Sequence, residues 1–251
     1  MSKVLVDVNG PVRTVTLNRP EKRNALDTET LDGMIAAFPK EPGPEERVAV
    51  VRANGPSFCS GMDLSAKVAG LGQPTSIETM LRGIEVYPLP VVAVVHGPAI
   101  AGGNELALHC DFVVASTTAI FGMSLSQIGL APTWFLAKKL MEVAGPVAAR
   151  EILLLGDPLP SKRLYDLGVI ARIAEPDALQ DAAQIIIDRL TTNAPLSLKN
   201  MKAMLVRQMA FRDTTVYDDL NSEVKRISAS ADAMEGIQAR LERRQPVFRG
   251  E

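Results

Sequence analysis

The chain has only two cysteines, two histidines and one tryptophan among its 251 residues. Two cysteines cannot build a disulfide scaffold. Cys59 and Cys110 both lie among apolar neighbours, the setting of buried free thiols in a reducing cytoplasm. Neither His96 nor His109 stands at a metal-ligand spacing, so no metal centre is expected. An excess of one charge is also missing. Lys plus Arg is 27, Asp plus Glu is 29 and the net charge is −2. Nothing electrostatic therefore calls for a nucleic acid or an anionic membrane as partner. No apolar run approaches the ~20 residues of a membrane span. The opening MSKVLVDVNG lacks the apolar centre of a signal peptide, and a cytoplasmic location is expected. What is present is ordinary for a globular protein with a sizeable core: 47% apolar and 22% charged residues.

Against that background the stretch Val91–Cys110, VVAVVHGPAIAGGNELALHC, stands out. Val91 to Val95 is an almost unbroken β-branched run, which suits a strand buried on both faces. Gly97, Pro98, Gly102 and Gly103 break it, and Asn104 to Cys110 reads as a helix. A strand, a glycine-containing turn and a helix leave backbone N–H groups unpaired at the helix N-terminus, with Glu105 in the first turn. Backbone donors beside one carboxylate suit a reaction that builds an oxyanion and moves a proton. The same residues admit a purely structural role, with glycines permitting a tight turn and Glu105 complementing the helix dipole.

Elsewhere, alternation over Val4–Val8, Asn9-Gly10 and Val12–Leu17 predicts a β-hairpin. Asp27 is the expected N-cap of a helix bearing Leu31, Met34, Ile35 and Phe38 on one face. Val48 to Val51 reads as a buried strand, and Gly61 permits an unusual backbone angle before Met62. Asp63 suits a cap. Ala66 to Ser76 reads as a mobile loop leading into a helix over 77–86. Phe112–Ala115 and Ala119–Phe121 read as strands, and Val169–Ile173 as a last one. Ser161 is the expected N-cap of a short helix ended by Gly168. From Pro176 onward the pattern is helical: Leu179, Ala183, Ile186 and Leu190 share one stripe, and Val216, Leu220, Val224 and Ile227 another. His96, His109 and Asp111 read as structural groups. Strand–helix alternation followed by helices points to an α/β core.

These segments, taken in order, resemble the enoyl-CoA hydratase/isomerase (crotonase) family. The resemblance rests on NRPEKRNALD at 18–27, SFCSGMDLS at 57–65, VVAVVHGPAIAGGNELALHCDFVVA at 91–115, FGMSLSQIGLAPTWF at 121–135 and AAREILLLGDPLPSKRLYDLGVIARI at 148–173. It implies an α/β fold, a crotonase-like spiral of repeated ββα units over 1–194, and a C-terminal helical trimerisation region over 195–251. It also implies an acyl-CoA thioester substrate, coenzyme A entering only as part of it, and a homotrimer or dimer of trimers. Carried over by motif, the thioester oxygen would meet the backbone N–H groups of Met62 and Gly102, and Glu105 would be the acid/base. Lys22, Arg23, Ala25, Ser60, Gly61, Asp63, Leu64 and Gly103 would line the coenzyme and substrate path. Trp134 could line an acyl pocket, against the alternative of a core or interface tryptophan.

One departure stands out. Family hydratases commonly use a second glutamate, and its aligned position here is Leu125; no carboxylate occurs between Asp111 and Glu142. The expectation is reversible hydration of a 2-enoyl-CoA by a single glutamate. The alternatives are Δ3,Δ2-enoyl-CoA isomerisation and a non-catalytic acyl-CoA binder.

Overall fold

The structure is a computed structural model that describes residues 2–64 and 76–251. The loop expected over 66–76 lies, except for Ser76, outside the described residues. Strands β1 (Val4–Asn9) and β2 (Val12–Leu17) form the expected hairpin, with Asn9 opposite Val12 across the turn. Strands β3 (Val48–Ala53), β4 (Val91–Val95), β6 (Phe112–Ser116) and β9 (Arg172–Ala174) then add in parallel, giving a sheet ordered β1-β2-β3-β4-β6-β9. A second sheet holds β5 (Ala99–Ile100), β7 (Ile120–Gly122) and β8 (Leu159–Pro160).

The two sheets are filled by one repeated move. In β4–β5–α3 and β6–β7–α4, the first strand joins the large sheet and the second joins the small one. A helix follows each pair: α3 spans Gly102–Leu108 and α4 spans Trp134–Arg150. Among the described residues, helices α1 (Thr28–Ala37) and α2 (Ile77–Glu85) precede them. Helix α1 is capped by the Asp27 carboxylate, which accepts from Thr30 N–H at 3.0 Å. Helix α2 is capped by Ser76.

The central strands are β-branched because both faces of the sheet are buried. On one face, Val51, Val91, Ala93 and Val95 join the main core with Leu31, Met34, Leu81 and Ile84. On the other, Val48, Val50, Val92, Val94 and Val114 pack under Leu179, Ala183, Ile187 and Leu190 of α6 (Leu179–Thr192); α5 (Ser161–Asp166) precedes it. Ile186, expected in that stripe, is only partly buried beside it.

Three local expectations change. Pro160, not Ser161, holds the N-cap of α5, and the Ser161 hydroxyl is buried without a partner. The last strand is shorter than expected, because residues 169 and 170 turn back onto Leu164 O. The stripe over 216–227 belongs to α8 (Asp218–Ser228), which buries none of its residues; Leu220 stays half exposed.

Helix α7 (Pro195–Met209) starts at a proline, whose missing N–H costs nothing there. It sends Lys202 into the core, where Nζ donates to Asp111 Oδ2 at 2.6 Å and to Leu89 O at 3.1 Å. The same Asp111 oxygen accepts from Val91 N–H at 2.7 Å, at the start of β4. Asp111 is thus the structural acid expected from its place in the chain. Removing Lys202 would leave the partly exposed carboxylate without its cation and the Leu89 carbonyl without its donor. Lys202→Met is expected to cost about 3 kcal/mol of unfolding free energy in urea titration. A loss below about 0.5 kcal/mol, the usual size for a surface lysine, would contradict this.

Candidate active site

The site is assembled where two chain turns meet. The first is Cys59–Asp63. It is laid alongside residues 23–26 by hydrogen bonds from Ser60 N–H to Arg23 O, Leu26 N–H to Gly61 O and Asp63 N–H to Leu26 O. Ile100 N–H, from the second turn, donates to Cys59 O at 2.9 Å. Gly61 has φ of +89°. A Cβ there would come within 3.1 Å of Gly102 N and 3.0 Å of Ile100 O, so only glycine lets the turns touch.

The second turn runs from β5 into α3. Its left-handed residue is not a glycine but Ala101, with φ of +49° and ψ of −116°. A non-glycine residue held there stores strain, a feature concentrated at functional sites. The glycines serve close approach instead. A Cβ on Gly103 would overlap the Cys59 carbonyl, and one on Gly102 would press on Ile77 and Leu26. The part Gly102 and Gly103 play in the tight turn is therefore close approach, not a positive φ. The helix also starts earlier than expected, since α3 begins at Gly102 and not at Asn104. Among the described residues, neither Met62 N–H nor Gly102 N–H donates a hydrogen bond. Two unspent donors therefore stand side by side.

Glu105, one helical turn into α3, faces the same cavity and is fully buried. Neither of its carboxyl oxygens has a hydrogen-bond partner among the described residues. Burial pushes its pKa well above the ordinary glutamate value, against a weaker opposing pull from Lys139. Lys139 itself is shared. It bonds Glu85 at 2.6 Å and Glu142 at 3.0 Å, and these acids outweigh burial and hold it charged. His109 lies one turn below Glu105, with Nδ1 2.8 Å from the Glu105 carbonyl. A carbonyl only accepts, so Nδ1 carries the proton. Burial pushes the His109 pKa down to about 3, and the ring is stacked on Phe135 at 5.1 Å. It is a neutral structural group. His96 likewise bonds the Gly55 carbonyl at 2.8 Å. Cys59 and Cys110 are free, buried thiols; burial raises Cys59 to about 12, so neither is a ready nucleophile.

A family model described as enoyl-CoA hydratase/isomerase matches residues 7–251. The chain belongs to that family. It is 34% identical to an (E)-benzylidenesuccinyl-CoA hydratase of Thauera aromatica, over 98% of this chain and 99% of that protein. It is 32% identical to a carnitinyl-CoA dehydratase of Salmonella enteritidis PT4, over 96% of each. Among solved structures, a carnitinyl-CoA hydratase from Mycobacterium avium superposes with a TM-score of 0.88 at 27% identity, over the whole of both chains. The spiral of ββα units is the fold of this enoyl-CoA hydratase/isomerase family.

Of the residues singled out by sequence, Ser60, Met62, Leu64, Gly102, Glu105 and Leu125 line one cavity. Gly61 and Gly103 lie behind it as contact points between the turns. Lys22 and Arg23 are exposed on the loop that carries Ala25, outside the cavity. The Asp63 carboxylate pairs with Arg19 at 2.8 Å. Trp134 does not line the cavity: it opens α4 and lies flat on Tyr217, ring centroids 5.1 Å apart, because the C-terminal segment folds back over it. Sequence reading missed Ile77, Ile100, Met123, Leu136 and Arg240 on the cavity wall. The apolar ones look like any core residue. Arg240 comes from the far end of the chain, where no local pattern ties it to Glu105.

The buried carboxyl has a consequence for stability. An unfolded chain ionises Glu105 in the ordinary range, whereas the folded chain does so only well above it. The stability drawn from the neutral carboxyl is full below that ordinary range and drains away as pH rises toward the folded pKa. Glutamine has no proton to lose. Calorimetry should therefore find Glu105→Gln gaining Tm over the wild type by a margin that widens from about pH 5 to about pH 8. A margin that does not change with pH contradicts a raised pKa.

Proposed function

We propose that the protein catalyses reversible addition of water to a 2-enoyl-CoA, or the reverse dehydration, with Glu105 as its single acid/base group. The observation that carries this reading is the fully buried, unpartnered Glu105 carboxyl in the same cavity as the free N–H groups of Met62 and Gly102. The hydratase and dehydratase relatives support it over isomerisation.

In the hydration direction, the Glu105 carboxylate takes a proton from water as the water oxygen bonds to the β carbon. The electron pair of the double bond moves to the α carbon and onto the thioester oxygen, which becomes an enolate. Met62 and Gly102 N–H groups donate to that oxygen. Losing one such donor typically costs about 3 kcal/mol of barrier. The Glu105 carboxylic acid then returns its proton to the α carbon, and the carboxylate is regenerated. One group acts in turn as base and acid, so a pKa lifted toward the working pH serves both steps. Leu125, which lines the same cavity, has no proton to offer, which leaves both transfers to Glu105.

The loop with Lys22, Arg23 and Ala25 lies directly against the first turn and is proposed to meet the coenzyme phosphates. The exposed apolar side chains of the C-terminal helices, Leu220 and Met204 among them, are proposed to pack between subunits of a trimer.

Crotonyl-CoA in deuterated water tests the chemistry. The wild type should give a product heavier by one heavy water, with deuterium at the α carbon. Glu105→Gln should lower kcat by roughly 10²–10⁴-fold without loss of thioester binding. Full turnover in that variant, or label at the γ carbon without water gain, rules the mechanism out.

A further inference from the structure

Among the described residues, the cavity wall contains two ionisable side chains, Glu105 and Arg240, and its other side chains are mostly apolar. Arg240 lies near the end of helix α9 (Ala231–Glu242). What brings it there is a contact one helical turn earlier. Gly236 lies so close to the Ile128 backbone that a Cβ would overlap it. Residues 236 and 240 share a helix face, so seating Gly236 on Ile128 carries Arg240 over the edge of the cavity. Ala233 and Ile237, fully buried, fix the rotation of the helix.

The guanidinium of Arg240 has no hydrogen bond or ion pair among the described residues. The neighbouring acids are already engaged. Glu235 and Glu242 are held by Arg244, at 2.6 Å each. Asp232 accepts from Arg249 and Gly250 N–H, and Asp157 from Gln127. Lys139 is the cation that acts on Glu105, so Arg240 is not its counter-ion. An always-charged planar fork, exposed to solvent and without a protein partner among the described residues, thus stands at the edge of a largely apolar pocket. Its strongest complement is a carboxylate, which it can bind through two parallel hydrogen bonds.

We propose that Arg240 binds a carboxylate carried on the acyl group, so that the substrate is a dicarboxylic acyl-CoA. This rests on the thioester reading of the site and narrows it to one substrate class. Glu105 handles the carbons next to the thioester, and Arg240 holds the far end of the acyl chain. Leu125 lines the same cavity and brings no charge to it.

Binding by calorimetry tests this without relying on turnover. Succinyl-CoA and glutaryl-CoA are compared with butyryl-CoA and valeryl-CoA, which share the coenzyme and chain lengths but lack the carboxylate. The wild type should bind at least one dicarboxylic thioester about tenfold more tightly than its neutral match. Arg240→Met should erase that preference and leave the neutral thioesters within about twofold. Equal affinities in the wild type, or a preference that survives in Arg240→Met, overturn the proposal while the thioester site stands. An equal loss for all four places Arg240 on the coenzyme and also overturns it. If none of the four binds, the thioester reading itself fails and takes the proposal with it.

Discussion

The close approach of two turns, one ending at Asp63 and the other leading into α3, is the constraint on which the site depends. Backbone lies directly on backbone there. Gly61 and Gly102 abut, and Gly103 sits on the Cys59 carbonyl. A methyl group at Gly61 or Gly103 would force the turns apart, and one at Gly102 would press on the side chains of Ile77 and Leu26. The gain from the missing side chains is that two N–H groups can point into one space without any side chain between them. That arrangement costs backbone freedom at the glycines and strain at Ala101, and the surrounding core offsets both. Phe58, Cys59, Ala99 and Leu106, all fully buried, hold the two segments in place.

The electrostatics follow from the same burial. A carboxyl group carried on the first turn of a short buried helix has nowhere to find water. Its neutral form is favoured, and the only relief comes from Lys139, a cation already divided between Glu85 and Glu142. The helix N-terminus, which favours negative charge, and the dry cavity, which opposes it, pull Glu105 in opposite directions. A group balanced in that way exchanges protons more readily than one fixed firmly in either state. His109, close by and titratable in water, is removed from this exchange by its own burial and by the hydrogen bond to the helix backbone.

Much of this was legible in the chain. The β-branched run at 91–95 announced a strand buried on both faces, and the Asp27 cap and the Asn9-Gly10 turn were readable from single residues. Local chemistry decides those features. The glycine turn and Glu105 were readable for the same reason, although the strained residue turned out to be Ala101. Alanine has no sequence signature for a left-handed angle, since only tertiary contact can force it there. Trp134 shows the opposite failure. An aromatic beside the pocket segment suggested a pocket wall, but Tyr217 from a distant helix region captured its face. Ser161 had the right residue type for a cap and lost the position to Pro160, whose fixed φ already suits a helix entry. Cavity residues such as Ile77 and Leu136 could not be told from core residues, because the cavity is lined by the same apolar surface as the core.

The seating of Gly236 on Ile128 also bears on the order in which the protein becomes itself during synthesis. Strands β1 to β4 and the turn bearing Glu105 leave the ribosome long before helix α9 does. The main core can therefore condense while the cavity still lacks the wall that the last helix supplies. Arg240 is brought to the cavity of Glu105 by the contact of Gly236 with Ile128, far apart in the chain, and such contacts form late because the loop they close is large. The molecule thus acquires a fold before it acquires a closed pocket. Helix α9 acts less as a tail than as the piece that completes the vessel.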